Sequence, residues 1–122
     1  MRKGIVGSLS LIAVLAAFLP LLAADTVSVT GEIVDSACYI KMGAKGESHR
    51  DCAQKCAQAG IPLALVEDGT GKVIWLASQN DMETPNPKLV EFAARKVTIT
   101  GTYAERGGAK ILVVASVKPA GK

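Results

Sequence analysis

Residues 86–117 read NPKLVEFAARKVTITGTYAERGGAKILVVASV, and the order of parts within them decides the fold class. Asn86 reads as a helix cap, with Pro87 at the first helical position, where its missing N–H costs nothing. Leu89, Val90 and Ala93 then share an inward face, while Glu91 and Arg95 stand four apart as a surface pair. From Val97 the period becomes twofold: Val97, Ile99, Gly101 and Tyr103 alternate with Thr98, Thr100 and Thr102, the pattern of a half-buried strand. Arg106-Gly107-Gly108-Ala109 turns that strand into a last one over 111–117.

Upstream, 63–67 and 72–77 are two apolar runs joined by Asp68-Gly69-Thr70-Gly71, a hairpin signal. Val27, Val29, Gly31 and Ile33 alternate with Ser28, Thr30 and Glu32, so 26–34 is a first strand that delivers Asp35 and Cys38 at its far end. Between the first two strands Ser48 caps a short helix, with Asp51 three residues on and Gly60-Ile61-Pro62 stopping it. The expectation is a mainly β chain with two short helices: three strands, a helix and two strands, with the Cys-bearing helix inserted between strands one and two. Five strands with a helix between the third and fourth is the arrangement of the OB-fold, a small Greek-key barrel. An open five-stranded α+β sheet is the alternative. The glycines at equivalent places in VTGEI and ITGTY suit the bends of a barrel, and Gly31 in mid-strand predicts a bulge or bend.

Of the 122 residues, 1–24 read as a signal peptide: Arg2 and Lys3, an apolar run from Ile5, and Ala23-Ala24 ahead of a sharp change to DTVSVTGE. Residues 25–122 are then one exported domain, periplasmic or secreted, with no stable membrane insertion after cleavage. Arg2 and Lys3 are two of 14 Lys and Arg, so the remainder carries 12 against 11 Asp and Glu. A near-neutral domain has no long-range field to concentrate it on phosphate backbones, which argues against nucleic acid. Its four aromatics, Tyr39, Trp75, Phe92 and Tyr103, are too few for a ladder of base-stacking platforms. Trp75 and Tyr103 are read as core or barrel-face residues.

All three cysteines, Cys38, Cys52 and Cys56, and the sole histidine, His49, fall within residues 35–62. Outside the cytosol three cysteines cannot all pair within one chain, so at least one is a free thiol, a metal ligand or half of an intermolecular bridge. On a helix opened by Ser48, His49, Cys52 and Cys56 stand at i, i+3 and i+7, a stripe about 60° wide. Three thiolates and an imidazole suffice for zinc, and thiolates also select Cu(I). His49 and Cys56 would lie roughly 10 Å apart along an unbroken helix. The favoured set is therefore Cys38, Cys52 and Cys56, with His49 an optional fourth ligand or outer partner. Two other readings stay open: a bridge from Cys38 to Cys52 or Cys56, worth on the order of 3 kcal/mol, with one spare thiol for a partner, and reversible thiol chemistry. Cys52, beside Arg50 in the first turns, sits where the helix dipole favours thiolate. Asp35 reads first as the polar end of the strand and second as a hydrogen-bond partner of the site, and Met42 as packing or a soft thioether near Cys38.

Motifs for covalent haem attachment, thioredoxin-like C-x-x-C, phosphate loops and G-x-S-x-G are absent. The stretch GESHRDCAQKCAQAGIPLALVEDGTGKV resembles a group of small exported bacterial proteins of uncharacterised function. They are similar to OB-fold domains and carry D-x-x-C, then G-x-x-H-x-x-C-x-x-x-C-x-x-x-G-x-P ahead of a second strand. The residues that match are Asp35, Cys38, His49, Cys52, Cys56, Gly60 and Pro62, and the resemblance implies that they work as one unit without implying an activity. The C-x-x-x-C pair with a separate histidine also resembles, in spacing alone, the copper sites of copper-delivery and cytochrome-oxidase domains. The sequence thus points to an exported, non-catalytic domain whose partner is a soft metal ion, Cu(I) or zinc, or an exported protein.

Overall fold

The computed structural model of the protein describes residues 24–121, so the expected signal peptide, 1–24, lies outside them except for Ala24. Strands form where side chains alternate: β1 (Thr26–Asp35), β2 (Leu63–Glu67), β3 (Val73–Ala77), β4 (Lys96–Arg106) and β5 (Ala109–Pro119). They bond in the order β1-β2-β3-β5-β4, and β1 pairs with β4 as well as β2, so the sheet closes into a ring. The alternative of an open sheet is thereby excluded. Every pairing is antiparallel except β3 with β5, where Trp75 faces Ile111 and Ala77 faces Val113 in parallel. Ile33, Leu65, Ile74, Val97, Ile99 and Leu112 fill the inside of the ring, and Leu63 and Leu89 pack onto them.

β1 can serve two neighbours because it is long, its first half facing β4 and its second half β2. Gly31 sits at the overlap, opposite both Glu67 and Val97. The bulge expected there does not form; the register runs on without a break. A Cβ at Gly31 would collide with the Val66 carbonyl oxygen, so the glycine permits close approach of β2. The bulge lies instead at Gly101, where Thr100 faces Ser116 and Gly101 faces Val114, leaving Ala115 as the extra residue of β5.

The helices depart further from expectation. Instead of two there are three among the described residues, α1 (Ser36–Met42), α2 (Arg50–Gln58) and α3 (Asn86–Leu89), with 3-10 turns at Glu47–His49 and Val90–Phe92. Ser48 falls inside the first 3-10 turn and does not cap α2 through its side chain. Pro85 occupies the cap position of α3, and Ala94, with φ +58°, turns the chain out of the helix, so Glu91 and Arg95 do not share a helical face.

Asn86 is buried and does something other than cap its own helix. Its Nδ2 donates to the carbonyl of Ala57 at 2.9 Å, which also accepts the Gly60 N–H, and to that of Ile61 at 2.8 Å, just past the end of α2. Gln54 and Arg50 donate from α2 to the carbonyls of Val90 and Glu91. Ala53 meets Ala93 and Ala94, small residues that let the backbones approach. Through these contacts the helix between β3 and β4 holds the cysteine helix in place. Asn86→Ala should cost about 1–3 kcal/mol in urea unfolding. Asn86→Asp should cost more, because it turns a donor into a charged acceptor facing two carbonyl oxygens; an equal or smaller loss would contradict this role.

Candidate metal centre

Asp35 ends β1 and begins α1, and the change of direction there creates the site. Its backbone is extended, and its carboxylate Oδ1 accepts the Cys38 N–H at 2.9 Å, capping α1. Gly43, left-handed at φ +68°, closes the helix after two turns by donating to the Tyr39 carbonyl. Cys38 is thus fixed in the first turn of α1, directly above the end of β1. The D-x-x-C spacing is a capping spacing, and with the glycine eight residues on it encodes α1, a helix absent from the expected order of elements.

The second element, α2, buries Ala53 and Ala57. Each residue advances about 100° around a helix, so Cys52 and Cys56 line the edge of that buried face and meet Cys38 across the junction with α1. The three Sγ atoms lie within 4.8 Å of one another. A tetrahedral ion with metal–sulfur bonds of about 2.3 Å needs sulfurs roughly 3.8 Å apart, a separation that falls within this bound. All three are free thiols, so neither bridge from Cys38 to Cys52 or Cys56 is formed. Cys52 is exposed; Cys38 and Cys56 are half-buried.

His49 does not join the two α2 cysteines in one trio. The expected single helical stripe is broken, because residues 47–49 form a 3-10 turn and α2 starts at Arg50. The imidazole turns to the other side of Cys38, where Nε2 stands 3.1 Å from Asp35 Oδ2, and Asp35, Cys38 and His49 form a second group with donor atoms within 4.8 Å. Asp35 is therefore more than the polar end of a strand. It is fully buried and bonded to both the strand-side cysteine and the histidine. Met42 projects from the last turn of α1, 68% exposed. Of the two aromatics read as core or face, Trp75 is 36% exposed and Tyr103 carries the Lys110 ammonium 3.6 Å above its ring.

The electrostatics follow from this grouping. Burial opposes ionisation of Asp35, but the Cys38 N–H, the His49 ring and the Cys38 thiol together outweigh it and hold the carboxyl below the usual carboxylate range. The Cys38 thiol, hydrogen-bonded to that carboxylate, half-buried and facing its charge and the other sulfurs, is pushed up to about 11. Burial, with Asp35 and Cys52 nearby, also raises Cys56. Neither is poised as a nucleophilic thiolate at neutral pH. A cation reverses these effects, since a coordinating thiol loses its proton outright.

No family model, characterised protein or solved structure matches this chain. Its own geometry therefore carries the functional reading. Among the described residues no helix is long and apolar enough to cross a membrane.

The metal-free protein should respond to pH at two ends. Asp35, lowered on folding, contributes stability above its ordinary value of 3.8 that is lost as pH falls through its lower folded value. Cys38, raised on folding, contributes stability present below 9.0 and lost as pH rises through about 11. Asp35→Asn should bring the Cys38 titration down from about 11 toward 9.0, read by thiolate ultraviolet absorbance. An unmoved titration would show that the carboxylate does not set it.

Proposed function

We propose that the protein is an exported OB-fold-like barrel that binds a soft metal ion, Cu(I) or zinc, for holding or delivery and not for catalysis. One observation carries this reading: three sulfurs from two separate helices, 14 to 18 residues apart in the chain, converge within 4.8 Å as free thiols. Burial beside a carboxylate raises the pKa of Cys38 and Cys56 and so opposes their ionisation; a bound cation offsets that cost. The ring order with its one parallel contact between β3 and β5 supports the OB-fold reading. The leader of residues 1–24 supports export, and the near-neutral remainder supports a small cation over a polyanion.

Cys38, Cys52 and Cys56 supply a trigonal set that suits Cu(I). Zinc takes four ligands, and on the Cys38 side His49 and Asp35 offer a nitrogen and an oxygen. Where His49 is not itself a ligand, its bond to Asp35 still orients the Cys38 side of the site. Binding releases thiol protons, so affinity rises with pH.

Reduced protein should take up one ion per chain by elemental analysis. Cys56→Ser should lower affinity far more than His49→Ala, whose cost is about 10- to 100-fold if it acts from outside the ligand set. Competition with a chromophoric chelator measures both. Equal metal retention by the Cys56 variant would count against the site.

A further inference from the structure

The three sulfurs are not equivalent. Cys38 is locked at its N–H by Asp35 and its thiol hydrogen-bonds the same carboxylate. Cys56 sits beside buried Ala57 and is half-buried. Cys52, in the first turn of α2, is exposed; its thiol pairs with that of Cys56, and among the described residues Asp35 bonds Cys38 and His49 but not Cys52. A three-sulfur site with two anchored ligands and one facing solvent has a preferred point of attack, because an incoming ligand must reach the ion and the outgoing one must have somewhere to go.

Building on the metal-binding reading, we propose that Cys52 is the exchange ligand through which the ion leaves, and that the recipient is a metal acceptor presenting paired thiolates. In the step, an acceptor thiol gives up its proton and its sulfur bonds to the ion. The bond from the ion to Cys52 Sγ then breaks, and Cys52 takes up a proton. No electrons move and the ion keeps its oxidation state. The acceptor's second thiol then gives up its proton and bonds the ion as Cys38 leaves and takes up a proton; Cys56 leaves last, protonated from solvent, and water fills its place on the ion. A single thiolate replaces one sulfur of three and stops at a mixed complex, whereas a chelating pair completes the transfer, which is why the acceptor class is a dithiol.

The test uses zinc-loaded, reduced full-length protein under anaerobic conditions, with iodoacetamide labelling of each cysteine mapped by mass spectrometry. Without added thiol, all three cysteines should be protected, because a ligated thiolate is a poor nucleophile. With glutathione, Cys52 should become alkylated at least about tenfold faster than Cys38 and Cys56 while zinc stays bound. With a peptide carrying two cysteines, zinc should leave in proportion to peptide concentration. Release of Cys38 or Cys56 first, or no effect of either thiol, overturns the exchange role and leaves metal binding standing. The same holds if all three cysteines are labelled together at the rate of zinc loss whatever the thiol. No zinc uptake and no protection overturns both.

Discussion

The buried carboxylate of Asp35 joins the strand ring to the thiol-bearing helices. One oxygen caps α1 at the Cys38 N–H and the other meets His49 from the approach to α2, so a single residue at the end of β1 bonds both segments. A fully buried charge is costly unless its oxygens are satisfied. Here both are, and the satisfaction is what brings Cys38 to the edge of α2. Removing the carboxylate would leave α1 uncapped and the histidine unanchored.

The ring supplies the rigid half of this arrangement. Closure removes free sheet edges and lets β1 run through two pairings, so its last residue is held by β2 opposite Leu63. The Ser36 N–H then donates to the Pro62 carbonyl, which ties the start of α1 to the segment that leaves α2. From the other side Asn86 grips the last turn of α2. The cysteine helix is short, and helices of its length are not stable alone. Its position comes from these tertiary bonds and from Ala53 and Ala57 set into the core.

The strands were legible because alternation of β-branched and polar residues has one physical meaning, a half-buried sheet, and their order named the closed arrangement. The convergence of Cys38 with Cys52 and Cys56 was legible from the odd cysteine count and the four-residue spacing on α2. Other parts were hidden for identifiable reasons. Ser48 has the chemistry of a cap, yet the chain at 47–49 tightens into a 3-10 turn that carries His49 to Asp35. Asn86 also looks like a cap, but local spacing cannot reveal that a distant helix end needs its amide more. Gly31 signalled a break, whereas close packing against the Val66 carbonyl demanded the same residue. Local patterns report local geometry; which partner a polar side chain finds across the fold is set by topology.

The central claim is that one ion can be held by sulfur from both α1 and α2. X-ray absorption spectroscopy of the reduced, zinc-loaded protein counts those sulfurs directly. The account predicts three sulfur neighbours at about 2.3 Å with one lighter ligand at about 2.0–2.2 Å. A first shell with one sulfur or none, or a shell unchanged when Cys38 is replaced by serine, would contradict it.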